Sequence, residues 1–167
     1  MPDLLMQHEE TPADWPDVDE IPGHVWARIE TWTRHRWSPR SVVWTVAGPG
    51  YWRAPLAPVN YFDAEVWRDG SWQEVQLQEG PEGLRLEAKH YRITATVGAG
   101  PVPEPAAEAA RRLAAYLAHE PAGVPGASSY GVTMGQLGEN FRRSPAWLAR
   151  AMEWSGAGDL LRPYRRT

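Results

Sequence analysis

The chain has 167 residues, a formal net charge of −4 and no cysteine, so disulfides, thiolate metal sites and a catalytic thiol are excluded. Its length suits one domain with a sizeable core, and no apolar run approaches the roughly 18 residues that a membrane span requires. The N-terminus lacks the basic-then-apolar layout of a signal peptide, so we expect a soluble protein that acts in the compartment where it is made.

The two ends of the chain carry opposite charge. Residues 1–21 are acidic and interrupted by Pro2, Pro12 and Pro16, which predicts an extended or disordered arm. Eight acidic residues against one arginine lie between residues 1 and 30, whereas six arginines against two acids follow residue 140. Either both ends are solvated tails, or one or both of them dock on a partner such as a neighbouring copy in an assembly. Net acidity argues against simple coating of nucleic acid.

A helix and two extended segments are predicted next. Pro22 suits the first turn of a helix, and apolar residues then recur at the spacing of one helical face, which predicts a helix over residues 22–37. Residues 41–46 are β-branched and aromatic and are predicted to form a strand. Residues 51–58 are predicted to be extended at the edge of a sheet or outside it, because two prolines interrupt them.

The clearest local pattern is a hairpin between residues 64 and 75. Two alternating segments flank Asp69-Gly70, a dipeptide that tolerates the positive φ angles of a two-residue turn. Trp67 and Trp72 lie on either side of this turn, so we expect them to pair across the two strands, to within one residue of register.

Two strands and two helices complete the prediction. The strands cover residues 84–86 and 91–97, and an alanine-rich helix covers 104–119 after a proline- and acid-containing first turn. A last helix over 145–155 is predicted to begin with Ser144 as its N-cap.

These elements predict an α+β fold, in which a small helical bundle carries an inserted small antiparallel β unit with the hairpin and has extended N- and C-terminal arms. The predicted segments are an acidic arm (1–21), a core domain (22–120), a Gly/Ser/Pro-rich loop (121–144) and a C-terminal helix with a basic tail (145–167). The predicted core includes Val25, Ile29, Trp32, Val43, Ile93, Ala110, Leu113 and Leu117.

Residues with catalytic or metal-binding chemistry form no recognisable pattern. The five histidines are scattered, without the spacing that sets two imidazoles on one metal. The segment at 126–131 lacks the G-x-S-x-G spacing of a nucleophile elbow, and the one lysine, Lys89, has no glycine-rich phosphate loop beside it. We therefore expect no catalytic residue, no cofactor and no metal site, and we expect that the protein is not an enzyme.

The order of the local patterns resembles a known group of structural proteins. Its landmarks are a helix ending near Arg36, the strand at 41–46, the aromatic-Arg-x-Pro-Leu-x-Pro-Val segment at Trp52–Val59, the hairpin, Gly83-Leu84-Arg85-Leu86, a strand ending in Gly98-Ala99-Gly100, and Val102-Pro103-Glu104-Pro105 opening a helix. This order resembles the head–tail connector (adaptor) proteins of long-tailed bacteriophages and gene transfer agents, the HK97-connector-like group. Members of that group usually begin with one or two amphipathic helices, which residues 1–21 do not resemble.

The resemblance implies a structural virion or particle protein. Such proteins form a ring, commonly of twelve copies, beneath the portal, and extend the DNA channel toward the head-closure protein and the tail. The expected partners are the portal protein, the head-closure or tail-terminator protein and other copies of the chain. DNA is expected to pass through the lumen without sequence-specific binding, and no membrane is involved. The expected location is the neck of the particle, which is assembled in the cytoplasm of the bacterial host.

Two candidate contact segments follow from this resemblance. We expect the C-terminal segment to dock on the portal through Leu160, Leu161, Arg162, Pro163, Tyr164, Arg165 and Arg166. We expect the hairpin to face a neighbouring subunit through Trp67, Arg68, Asp69, Gly70 and Trp72. The competing interpretations are a head-closure or tail-terminator protein of the same particle, and a Trp-rich module that binds carbohydrate or nucleic acid by stacking.

Overall fold

The structure, a computed structural model, describes residues 2–119, 129–134, 137–142 and 148–166. The helices and strands in chain order are β1 (Asp3–Glu9), α1 (Gly23–Thr33), β2 (Arg40–Ala47), β3 (Gly50–Trp52), β4 (Val59–Arg68), β5 (Ser71–Glu74), β6 (Glu79–Gly80), β7 (Gly83–Leu86), β8 (His90–Val97), α2 (Glu104–Ala118), β9 (Ser129–Met134), β10 (Leu137–Arg142), α3 (Ala151–Trp154) and α4 (Ala157–Leu161). The described chain is therefore α+β, as predicted.

An antiparallel sheet of five strands, in the order β1-β2-β8-β4-β5, is the largest element of the fold. A second sheet has the order β3-β7-β6, and β9 pairs with β10. The predicted small helical bundle is not confirmed, because the β structure is more extensive than a small insertion.

Alternation of buried and half-buried residues builds the core on one face of the five-stranded sheet. In β2, Val42, Trp44 and Val46 are buried, and in β8 the buried residues include Ile93 and Val97. The prediction that Val43 belongs to the core is wrong, since it lies on the opposite face and is half-buried. The residues that share its face in β2 are the polar Ser41 and Thr45, whereas Trp44 lies on the buried face.

The hairpin has the turn that its sequence predicts. Asp69 and Gly70 have φ angles of 51° and 79°, as a two-residue turn with positive φ at both positions requires. Trp67 faces Trp72, and Arg68 faces Ser71, so the predicted cross-strand pair is confirmed.

The chain divides into two compact units. The first comprises Met1–Pro16, Glu30–Val102 and Tyr164–Thr167, and it contains the sheets of five and three strands. The second comprises Asp17–Ile29 and Pro103–Pro163, and it contains α2, α3 and α4.

Helix α2 contributes a face of buried residues, mostly alanines, to the second unit. Its bounds, Glu104–Ala118, agree with the predicted helix, and it packs against α3 and α4. Of the predicted core, Val25, Ile29, Ala110 and Leu113 are buried in this unit, whereas Leu117 is half-buried. Trp32, which belongs to the first unit, is also half-buried.

Helix α1 ends earlier than predicted. The predicted helix continues to residue 37, but α1 stops at Thr33 because Arg34 adopts the left-handed conformation, with a φ of 59°. The Arg34 N–H still donates to the Glu30 carbonyl, which closes the last turn.

The predicted C-terminal helix is divided in the structure. Gly156, with a φ of 74°, separates α3 from α4. Residues 148–150 form a turn, and the predicted N-cap Ser144 lies outside the described residues.

Two segments without predicted regular structure contain strands. Residues 3–9 of the acidic arm form β1, an edge strand, so this part of the arm is extended but not disordered. Within the predicted loop over 121–144, β9 and β10 pair in antiparallel fashion, consistent with the alternation of Tyr130, Val132 and Met134 in the sequence.

Candidate interaction surfaces

The hairpin surface, formed by Trp67, Arg68, Asp69, Gly70 and Trp72, projects an ordered aromatic pair. The two indole rings are 5.2 Å apart between centroids and are inclined by 66°, an edge-to-face arrangement. Trp67 remains 44% exposed, and the three turn residues are all exposed. The structure therefore brings the five predicted residues together on one protruding element.

An ion pair on the same face of the sheet supports the hairpin surface from β8 and β4. Arg92 donates to both carboxylate oxygens of Glu65, at 2.6 and 2.8 Å, and its guanidinium lies 4.9 Å from the centre of the Trp72 ring. The hydrogen bond from Arg92 holds the pKa of Glu65 below its usual value. Because Trp72 contacts both Trp67 and Arg92, the hairpin has a fixed aromatic surface.

The C-terminal segment, Leu160–Arg166, is divided between the two units of the chain. In the second unit, Leu161 at the end of α4 is fully buried, whereas Arg162 is 79% exposed and pairs only with the equally exposed Asp159 among the described contacts. A 3₁₀ turn continues from Arg162 to Tyr164. Leu161 is thus a core residue and not a docking residue in this conformation.

The last described residues are anchored in the first unit. Tyr164 meets Trp37 edge-on, with ring centroids 6.1 Å apart, and the Arg165 guanidinium lies 5.0 Å from the Trp32 ring. Arg166 donates from its backbone N–H to the Thr33 carbonyl and from Nη1 to the Leu56 carbonyl, at 3.0 and 3.1 Å. This end of the chain is therefore fastened rather than freely solvated.

A charge cluster holds the N-terminal end of the chain in place. It consists of Glu9, Glu30, Arg36 and Arg40. Arg36 makes a bidentate pair with Glu9, at 2.5 and 2.9 Å, and Arg40 donates to Glu9 at 3.3 Å and to Glu30 at 2.5 Å. Trp15 adds its ring 5.2 Å from the Arg40 guanidinium. The cluster links β1 to α1 and β2 within the first unit.

The pKa values of the two carboxyl groups in the charge cluster are shifted in opposite directions. Burial raises the pKa of Glu30, whose side chain is 1% exposed, and this effect exceeds the lowering caused by the Trp37 N–H and by Arg40. Burial also acts to raise the pKa of Glu9, but the hydrogen bonds and charges of Arg36 and Arg40 outweigh it and hold that pKa below its ordinary value. Glu9 is therefore the carboxylate that stabilises the cluster as an anion.

An apolar sheet edge was not predicted from the sequence. In β1, Leu4, Leu5 and Met6 are 43%, 56% and 64% exposed, and Leu5 lies at a bulge in the pairing with β2. Gln7 accepts a hydrogen bond from the Trp44 indole at 2.9 Å, which fixes the strand beside this apolar patch. Three consecutive large apolar residues within an acidic arm were the sequence signal for it.

The described histidine, aspartate and glutamate side chains form no group of three or more that could hold a metal ion. His35 packs on Trp37 with ring centroids 4.6 Å apart, and burial together with the charges of Arg166 and Arg36 lowers its pKa.

In the part of the chain that the structure covers, no helix is long and apolar enough to cross a membrane.

Comparison with known proteins adds no relative: no family model, no curated protein and no solved structure matches the chain.

Proposed function

We propose that the protein is a head–tail connector (adaptor) of a phage or gene-transfer-agent particle. The observation that supports the proposal is the order of elements. Helix α1, strand β2, the β4–β5 hairpin, strand β8 and helix α2 follow one another as in the family that the sequence resembles. The glycine turn after β8 is also built for its place, since Gly98 has a φ of 95° and a Cβ there would collide with the Ser38 carbonyl.

The proposed role is structural and needs contact surfaces. A closed ring requires two different surfaces on each copy, one for each neighbour. The first unit has two such surfaces, the hairpin surface and the apolar edge of β1, and tryptophan and arginine are the residues that most often anchor protein interfaces.

Portal docking, in this proposal, depends on the exposed arginine side chains of the C-terminal segment. Leu161 is buried and Tyr164 contacts Trp37, so neither is available without rearrangement. Arg162 is the most accessible candidate, since it is bound only by a surface aspartate among the described residues. Deleting residues 159–167 would remove Leu161 from the core, so a point substitution is the cleaner test.

The test is the light-scattering mass of the purified protein mixed with the portal protein of the same particle. The parent protein is expected to join the portal in about equal copies per portal subunit, because a ring with the symmetry of the portal gives every copy the same contact. Arg162→Glu is expected to weaken this association. Arg85→Glu is the matched control, because Arg85 is also exposed and pairs only with an exposed glutamate among the described contacts.

If the parent protein does not bind the portal protein, the connector proposal is refuted. Equal binding by the parent, Arg162→Glu and Arg85→Glu would leave the connector role standing and refute docking through Arg162.

The exposed Trp67–Trp72 pair favours one second candidate, a module that stacks on sugar or nucleic-acid rings. This function predicts that an oligosaccharide or a single-stranded oligonucleotide quenches tryptophan fluorescence in the parent but not in Trp67→Ala. Added salt should weaken the effect only for the oligonucleotide. Absence of quenching at millimolar ligand would eliminate this candidate.

A further inference from the structure

Both outer strands of the five-stranded sheet have one side that no described residue pairs. Strand β1 forms one edge and β5 forms the other. An edge strand presents a row of backbone N–H and C=O groups that can pair with another chain. Soluble proteins usually protect such edges with charged side chains, proline or coverage by another element.

The β1 edge exposes apolar side chains between its charged ends and is held to the core by side-chain hydrogen bonds. Its exposed residues Leu4, Leu5 and Met6 are consecutive, while Glu9 and Gln7 bind the strand firmly to the core. Met6 faces Thr45 in the β1–β2 pairing, and Trp44 on the next position of β2 is buried. Met6 therefore lies on the sheet face opposite the core.

The β5 edge presents backbone groups on the side away from β4. Arg68 and Ser71 close the two-residue turn, so the pair Trp67–Trp72 is the non-hydrogen-bonded type, and the backbone groups of Trp72 and Glu74 point away from β4. The hydrogen bond from the Val75 N–H to the Ala64 carbonyl agrees with this alternation. Trp72 lies on the same sheet face as Met6, opposite the core.

Strand direction determines how the two edges can meet. Every neighbouring pair in β1-β2-β8-β4-β5 is antiparallel, so β1 and β5 run in the same direction. A second copy that continues the sheet without turning it over must therefore place its β1 parallel to the first copy's β5. In that arrangement the start of β5, beside Arg68, lies near the start of β1, beside Asp3.

Charge favours this arrangement over antiparallel pairing of two β1 edges. The hairpin turn would bring both Arg68 and Asp69 near Asp3, with no net charge, whereas two antiparallel β1 strands would bring the exposed Asp3 near the exposed Glu10 of the other copy. Like charges opposite each other destabilise a strand pair. The four residues of β5 are also enough to cover the stretch of β1 that carries Leu4, Leu5 and Met6.

We propose that β1 of one copy pairs in parallel with β5 of the next copy, so that the five-stranded sheet continues across the subunit boundary. The occupant of the apolar β1 edge is thus the hairpin of a second copy of this chain. Because the two edges are different surfaces, the contact is head-to-tail and can close a ring. The inference deepens the connector proposal by naming which surface the hairpin meets, and it rests on that proposal for the ring.

Cysteine cross-linking tests the pairing directly, since the parent chain has no cysteine. Met6→Cys and Glu74→Cys place one thiol on the same sheet face of each edge, and a short bismaleimide spans either register that keeps this face common. The double variant is expected to give a ladder of products larger than a dimer, both free and with portal protein. Each single variant is expected to remain monomeric. Arg85→Cys with Glu74→Cys is the collision control.

Three results would overturn the pairing: a ladder no stronger than that of the collision control, dimers from Met6→Cys alone, or dimers from Glu74→Cys alone. A charge at the edge provides an independent check. Met6→Glu, which would set a like charge beside Glu74 of the next copy, is expected to reduce the mass of the assembly to the 18.8 kDa monomer, whereas Thr96→Glu, on an exposed position of the central strand β8, is not. An assembly that Met6→Glu leaves intact would also refute the pairing.

The two proposals can fail separately in these experiments. Portal binding without the ladder would refute the sheet continuation and leave the connector role standing. The ladder without portal binding would retain the subunit contact and refute the connector role.

Discussion

Removing Arg40 is the substitution that tests most directly what the buried charge cluster contributes. Arg40 is 6% exposed and donates from Nη2 to Glu30 at 2.5 Å. Removing one partner of a buried ion pair costs about 3–5 kcal/mol when the remaining charge is left uncompensated, and less when that group takes up a proton, as the raised pKa of Glu30 favours. In the Arg40→Met variant, Glu30 would keep the Trp37 N–H at 2.8 Å and Arg36 at 4.0 Å. We therefore expect the lower end, about 3 kcal/mol of unfolding free energy.

The measurement is urea and thermal unfolding, each followed by circular dichroism and by tryptophan fluorescence. For a chain of this size, about 3 kcal/mol corresponds to a fall in Tm of roughly 6–12 °C. Arg92→Met is the matched control, since Arg92 makes a similar bidentate pair with Glu65 but both side chains are about one third exposed. Exposed pairs contribute up to about 1 kcal/mol.

A double variant separates the charge from the packing. Adding Glu30→Gln to Arg40→Met removes the uncompensated carboxylate, so the two substitutions together should cost less than their sum by about 1–2 kcal/mol. The reasoning would be refuted if Arg40→Met were no more destabilising than Arg92→Met, because the cluster would then behave as a solvated surface network.

Three further predictions concern the acidic arm, the turn and the core. The pKa of Glu9 is below its ordinary value of 4.5, so its stabilisation of β1 is present above pH 4.5 and is lost as the pH falls through the lowered pKa. Protection of the β1 amides from hydrogen exchange should therefore fall as the pH passes through that pKa in the parent, and should not change in this way in Glu9→Gln. The raised pKa of Glu30 gives its contribution to stability the opposite pH dependence, so the measurement is amide exchange in β1 and not the free energy of unfolding of the whole chain. Gly70→Ala should cost about 1 kcal/mol by urea unfolding because φ is positive, whereas Gly80→Ala, in open space, should cost nothing measurable. Val42→Ala should cost about 2 kcal/mol in the same assay and Val43→Ala less than half of that, and the reverse order would contradict the assigned core face.

Short-range signals predicted the hairpin and α2 well. Asp69-Gly70 determines its turn from two adjacent residues, and the alanine-rich run after Pro103 needs no distant partner to favour a helix. The phase of β2 could also have been predicted, since Trp44 alternates with Ser41 and Thr45 on the other face.

Long-range contacts account for the part that sequence could not predict. Strand β1 depends on pairing with β2, and Glu9 meets Arg36 and Arg40 across separations of 27 and 31 residues, which no local pattern encodes. The C-terminal contact segment was predicted as one docking unit, but the burial of Leu161 depends on packing of α4 against α2.

Part of the opposite charge at the two ends of the chain is paired within each unit. Glu9 pairs with Arg36 and Arg40, and in the second unit Asp19 pairs with Arg111 at 2.6 Å. At the other end, the Arg165 side chain stacks on Trp32, and the Arg166 side chain donates a hydrogen bond to the Leu56 carbonyl. Long-range attraction between solvated tails is therefore a weaker basis for assembly than composition suggested.

Salt separates the two kinds of contact that remain. At about 1 M ionic strength the Debye length is about 3 Å, so docking that depends on the exposed Arg162 should weaken strongly. Pairing of β1 with β5 uses backbone hydrogen bonds and the apolar side chains of Leu4, Leu5 and Met6, which salt does not screen. The cross-linked ladder should therefore persist in high salt while portal binding falls. Loss of both together would mean that charge, and not the sheet edge, holds the copies to one another.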